Sequence, residues 1–421
     1  MAQRGVLVPA ARPGGYRAAL RQPIGRRLWV AGVTSSIGDY VALGALLFLA
    51  ADRTGLVLGA AAVVAVGVVP SVLAGVLGGR WLDRFDRARA LAVLQLLGGG
   101  IVLLPVVQDG TAVVIVTAAG LAAVRVATVA IRSGAMADGL SDEHRGPLVA
   151  LLNTTDQAAQ VIGYLTGAGL YVALGADAAL LLDAATFLVS AALLAGLPLP
   201  RQSTQVDPPT LTTGVREILR QPVLRLLGLL ALATGLVGSL PEVLAPAVAA
   251  DDDPLRPLVL AAAPTGQAVT MAVLGRSSLI RRPRNLLVHL GCLAGALLLA
   301  ALASTPAQVA AANLLIGAGT AWVIGAQVLF LQLAPAARMA QITGAMVAGL
   351  AIADGVGSLG LAAVADRAGT GAAYGVGALL VAVAVGVGVA FRSRTAAVRH
   401  LDVVQRGADR PGPGAAERPG T

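Results

Sequence analysis

Twelve apolar stretches constrain this 421-residue chain more than any other feature. They fall near residues 28–50, 56–79, 90–108, 111–132, 148–174, 177–198, 223–248, 255–280, 285–303, 306–333, 340–365 and 371–391. Charge, Gly or Pro separates each from the next, and most are long enough for an α-helix to cross a bilayer. A β-barrel would need short alternating segments rather than continuous apolar blocks. The chain therefore reads as an all-α membrane protein of about twelve transmembrane helices, and its 57% hydrophobic content agrees. Its 52 glycines suit helices packed closely in lipid, where small residues let backbones approach.

The formal charge of +9 comes without a single lysine, and the arginines are scattered through loops rather than gathered on one soluble domain. That distribution argues against nucleic acid as a partner and for membrane orientation. With the N-terminus placed inside, only Arg53, Arg256 and Arg367 fall in outer loops and Arg125 falls within a span. The positive-inside rule then puts both termini in the cytoplasm. The outer loops carry Asp109, Asp177 and Asp251 to Asp253, read as solvated acids in preference to a calcium site. Arg26 and Arg27 precede a stretch too long for an export signal and containing Asp39, so that stretch is expected to remain as the first span. Cys292 is the single cysteine, which excludes an intramolecular disulfide, and no Cys/His spacing suggests a metal site or cofactor.

The two halves look duplicated. "RQPIGRRL" at 21–28 recurs as "RQPVLRLL" at 220–227, each before a first span, and "GGRWLDR" after span two has a counterpart in "LGRSSLIRR" after span eight. The expected organisation is a basic tail (1–27), a six-helix bundle (28–198), a linker (199–222), a second six-helix bundle (223–391) and a Pro/Gly/Arg-rich cytoplasmic tail (392–421). Parallel six-helix repeats around a central cavity are a transporter architecture, with substrate held near the membrane midplane.

Between spans two and three stands "GGRWLDRFDRARA", residues 78–90, dense in charge for this chain. Its arginines anchor a short inner loop, but Asp83 and Asp86 need another account. The segment resembles the loop motif of the major facilitator superfamily, Gly, any, Leu, Ala, Asp, Arg, any, Gly, Arg, basic, basic. Gly79 takes the first glycine, Asp83 the acid, Arg84 and Arg87 the following arginines and Arg89 the last basic position; Asp86 replaces the second glycine and Ala88 interrupts the basic run. "SSIGDYVALGALLFLAADRTG" in span one, Pro70 and "LLDAATFLVSAALL" in span six resemble the macrolide-efflux and enterobactin-export subgroup of drug:proton antiporters. The resemblance covers about residues 26–392. It implies the major facilitator fold, a bacterial inner-membrane location and a cytoplasmic gate at Gly79, Asp83, Arg84 and Arg87. Asp83 would hold the gate by serving the start of span eleven near Gln341, against the alternative of a plain loop-capping acid.

Ionisable groups inside spans are costly and face a cavity or one another. Asp39 lies roughly 16 Å along the first span, near the midplane, on one face with Gly32, Ser35 and Ser36. It suits a group that takes up and releases a proton; the alternative is a permanent ion pair with Arg125. Arg125 shares a face with Thr128 about 10 Å in from Arg132. It resembles the family's fourth-span arginine associated with proton coupling, although Val129 replaces the expected glycine. Asn153, Asp156, Gln157 and Gln160 form a polar stripe on span five that must avoid lipid. "GYLTGAGLY" resembles the family's fifth-span antiporter motif through Gly163, Gly167 and Gly169, with Tyr164 at the usual proline; close packing is the competing account of those glycines. In the second half Asn313, Gly317, Thr320 and Gln327 share a face of span ten, and Asp354 and Ser358 share one in span eleven. Glu242 lies toward the outer end of span seven, and Asp183 reads as structural.

The expected function is secondary active export of a small amphipathic or hydrophobic compound by proton antiport with alternating access. Asp39, Arg125 and Asp156 are the proton-coupling candidates; Ser35, Thr128, Gln157, Gln160, Asn313, Thr320, Gln327 and Asp354 are the cavity candidates. An importer of the same fold is the nearest alternative, and a nontransporting scaffold or receptor is the second. No phosphate-binding Walker loop appears, which disfavours ATP-driven transport by this chain. No catalytic constellation can be assembled from local spacing, so the chain is not read as an enzyme. The expected partners are substrate, protons and the lipid bilayer, with the monomer as the functional unit.

Overall fold

The duplicated Arg-Gln-Pro sequence does the same structural work twice. In the computed structural model, Pro23 and Pro222 each open a helix at its first position, where a missing N–H costs nothing. Gln22 and Gln221 precede them in extended conformation, and each follows a short helix ending in arginine, Pro13–Arg21 (α1) and Leu211–Arg220 (α10). The structure describes residues 13–77, 86–197, 211–249, 253–274, 283–320, 322–323, 326, 330, 333 and 338–394. Gly79, Asp83, Arg84 and Gln327 lie outside them.

The remaining N-terminal helices are Pro23–Thr54 (α2), Val57–Ala65 (α3), Val68–Leu77 (α4), Arg87–Val102 (α5), Leu104–Val107 (α6), Thr111–Gly139 (α7), Asp142–Leu174 (α8) and Ala176–Leu194 (α9). The C-terminal half continues with Pro222–Gly235 (α11), Leu240–Val248 (α12), Arg256–Leu274 (α13), Pro283–Leu302 (α14), Pro306–Gly319 (α15), Met339–Ala368 (α16) and Thr370–Arg394 (α17). No strand occurs among the described residues. Seven helical stretches among them are long and apolar enough to cross a membrane, and Val57–Leu73 and Leu286–Leu302 are shorter apolar helices. Leu181, Leu188, Leu298, Leu299, Leu379 and Val383 are exposed, as side chains bathed in hydrocarbon rather than water would be.

Local chemistry sets the helix ends. Gly55 turns the chain at φ 66°, a left-handed conformation open to glycine at little cost, and its N–H closes α2 on the Ala51 carbonyl. Asp86 caps α5 by accepting from the Arg89 N–H, which accounts for an acid where the family loop has glycine. Thr305 and Gln308 form a capping box at the start of α15.

Two six-helix halves result. In the first, α2 packs on α8 and α9, and α5 on α7 and α9; in the second, α13 packs on α15, and α14 on α15 and α17. The short helices dock in parallel fashion, α1 on α8 and α10 on α16. The α2–α8 seam depends on missing side chains. A Cβ on Gly163 would fall 2.5 Å from the Tyr40 Cβ, and one on Gly167 would fall 2.3 Å from the Val41 carbonyl oxygen, both untenable. The α11–α16 seam uses Gly357 the same way, against the Leu236 carbonyl. Gly169 faces open space. Between the halves α8 meets α13, and α16 meets α3 and α4, around a shared core that includes Phe48, Tyr164, Val243, Leu244 and Leu260.

Candidate functional site

A cavity of about 170 Å³ opens among α2, α5, α7, α8 and α9, lined, among the described residues, by those of the N-terminal half alone. Its wall mixes Ser35, Ser36, Asp39, Gln95, Arg125, Thr128, Arg132, Asn153, Thr155 and Asp156 with the apolar Val33, Val124, Val129, Leu152 and Phe187. Four of these side chains carry charge, two of each sign.

Asp156 is the hub. It accepts from Ser36 Oγ at 2.8 Å and from the Tyr40 hydroxyl at 3.3 Å, and its Oδ2 lies 3.9 Å from Arg125 Nη2. Arg125 donates to the Tyr40 hydroxyl at 2.7 Å and sits 4.8 Å from that ring's centroid. Arg125 therefore makes its close contacts with Tyr40 and Asp156, and Asp39 faces it from farther off. Asp39 lines the same cavity and makes no hydrogen bond or ion pair with a described residue. Ser35 donates to Gln95 at 3.3 Å, and the Thr128 hydroxyl is enclosed without a partner.

The polar chain continues out of the cavity into the other half. The Tyr40 and Tyr164 rings meet edge to face at 5.5 Å. Tyr164 donates to Glu242 Oε2 at 2.8 Å, and Gln160 Nε2 to Glu242 Oε1 at 3.3 Å. Glu242 stands in the first turn of α12, where a carboxylate is favoured by the helix N-terminus. Gln160 thus serves the contact between halves, while Gln157 stays in α8 with its Oε1 enclosed and unbonded.

Toward the far end of α2 the halves are tied again. Arg256, 1% exposed, lies 3.2 Å from Asp52 and 4.4 Å from the Phe48 ring centroid, and Tyr171 donates to Asp52 as well. Asp366 at the end of α16 accepts from the N–H groups of Val57 and Leu58, capping α3 from the opposite half. The sequence offered Arg256 only as an outer-loop charge and gave no sign of these partners.

The described C-terminal candidates do not line the cavity. Asn313 is fully buried, donating to the Val259 carbonyl and accepting from the Tyr374 hydroxyl at 2.9 Å. Thr320 bonds the Gly317 carbonyl of its own helix. Asp354 accepts from the Ser239 N–H and hydroxyl at the break between α11 and α12, and Ser358 completes the cluster. Of the gate residues, Arg87 is described: it pairs with Asp138 of α7, across Gly134, within its own half. Asp183 is buried against Gly38 and held by Thr186, with Oδ2 unpartnered.

Two helical halves, lipid-facing apolar surfaces and a charged internal cavity define a polytopic membrane transporter. The sequence pattern of the Major Facilitator Superfamily matches residues 28–358, and the chain belongs to that family. No curated protein matches it. Among solved structures, the nucleoside transporter NupG superposes with a TM-score of 0.71 at 11% identity, over 88% of this chain and 100% of that one. A bacterial homologue of the human lysosomal transporter Spinster, inward-facing and occupied, gives 0.64 at 14%, over 93% and 99%. The human organic anion transporter MFSD10 gives 0.59 at 16%, over 86% and 98%. At these identities the likeness is one of fold.

Proposed function

We propose that this chain exports a small amphipathic or hydrophobic compound across the bacterial inner membrane in exchange for protons, by alternating access, as a monomer with both termini cytoplasmic. The observation that carries the reading is the state of Asp39: a carboxyl group lining an internal cavity with no hydrogen bond or close ion pair to a described residue, facing an arginine already engaged by Tyr40 and Asp156. An acid so placed is free to take a proton or a ligand group, whereas one locked in a pair is not.

Protonation of Asp39 changes the charge facing Arg125 and Asp156. Those two hold Tyr40, Tyr40 rests on Tyr164, and Tyr164 holds Glu242 in the other half. Occupancy of the cavity is thereby adjacent, through four contacts, to the polar seam that must part when the halves rock. Gly79, Asp83, Arg84 and Arg87 form the cytoplasmic gate in this reading. The Asp52–Arg256 pair and the Asp366 cap serve the opposite gate.

The test uses inside-out vesicles acidified internally and a panel of amphiphilic dyes and antibiotics, with Asp39→Asn at matched abundance. Accumulation by the wild type that collapses with the gradient and in the variant is the expected result. Dye movement in the opposite sense under the same gradient would identify an importer, and no gradient-dependent movement by either protein would remove the antiport reading.

A further inference from the structure

The charges of the cavity do not pair off. Asp156 and Arg125 are joined through Tyr40, but Arg132, like Asp39, makes no hydrogen bond or ion pair with a described residue. The arginine is positioned rather than loose: a Cβ on Gly32 would lie 2.8 Å from Arg132 Nη1, so its guanidinium rests against the α2 backbone in the space that glycine leaves. Gly32 and Asp39 are seven residues apart on one face of α2, which sets the place where the guanidinium rests and the position of the acid roughly 10 Å apart along that helix. Between and around them lie Val33, Val124, Leu152 and Phe187.

We infer that the cavity binds a zwitterionic amphiphile, its anionic group on Arg132, its cationic group on Asp39 and its apolar body along the wall between them. This rests on the cavity being the substrate site of the transport reading above. A planar guanidinium fork suits a carboxylate or phosphate, and Asp39 offers an acceptor-only carboxylate to an ammonium. The cavity's two acids and two arginines sum to zero, and a zwitterion leaves that balance unchanged. A simple anion or cation would bring an uncompensated charge into a low-dielectric site, which is costly. A proton and the ligand's cationic group then compete for the same carboxyl, which is the competition an exchanger requires.

The test is equilibrium binding to the purified full-length chain in detergent, by calorimetry, with 8-aminooctanoate, octanoate and octylamine as probes. The zwitterion spans both charges; each of the others supplies one. The expected result is binding of 8-aminooctanoate about tenfold tighter than either single-charge probe, in line with one added charge-assisted hydrogen bond. Arg132→Gln should reduce it to the level of octylamine and Asp39→Asn to the level of octanoate. Arg132→Lys should keep part of the preference, and thermal unfolding confirms that each variant is folded. Equal binding of the three probes, no binding of any, or a preference that survives Arg132→Gln would overturn the inference. The assay needs no gradient, so zwitterion binding without dye movement would sink the antiport reading alone, and dye movement without zwitterion preference would sink this one alone.

Discussion

Asp156 and Asp354 occupy matching places in the two halves, on α8 and α16, and each accepts a hydrogen bond from a serine on its half's first span, Ser36 or Ser239. Their surroundings differ in one decisive way. The first span of the N-terminal half, α2, runs unbroken, so Asp156 is left to Tyr40, Arg125 and the open cavity. Its C-terminal counterpart breaks between Gly235 and Leu240, and Asp354 is consumed by the Ser239 N–H and hydroxyl exposed there. One acid of a duplicated pair can thus face the cavity while the other holds a helix joint together. A backbone break decides which, because a freed N–H in a membrane interior must find an acceptor.

Exchanging each acid for its amide tests that division most strongly. Asp156→Asn should lower gradient-driven accumulation by about tenfold or more, the size of a substantial coupling energy. Asp354→Asn should leave transport per folded molecule within about twofold. Equal losses in the vesicle assay would break the comparison.

The alanine variants should reverse the ranking when stability is measured. Asp354→Ala leaves the Ser239 N–H unsatisfied, while Ser358 remains for the hydroxyl, and should cost about 1–3 kcal/mol in denaturant unfolding. Asp156→Ala should cost less, since Ser36 lines the cavity, where water can reach it, and Tyr40 keeps its bond from Arg125. A larger loss for Asp156→Ala would mean that the N-terminal acid is the structural one.

The smallest effect separates glycines that permit packing from one that does not. Gly169→Ala meets open space and should stabilise α8 by roughly 0.5–1 kcal/mol. Gly167→Ala, driven into the Val41 carbonyl, should reduce folded yield. Similar behaviour of the two in size-exclusion chromatography would remove the packing account of the α2–α8 seam.

The amino-acid sequence by itself determined the helical membrane class, the approximate positions of the spans and the duplication, because apolar length and repeated Arg-Gln-Pro are local properties. It also marked Asp39, Arg125 and Asp156 as groups that must avoid lipid. Tertiary structure alone decided their partners. Arg125 reaches Tyr40 and Asp156 rather than Asp39, Gln160 crosses to Glu242, and Asn313 is spent on Tyr374. Helical periodicity tells which residues share a face, but not which other helix that face meets. Arg132 shows the limit most plainly: at the sequence level it was only a reference point for the depth of Arg125. Its place in the cavity depends on Gly32, a residue a hundred positions away whose missing side chain makes the room.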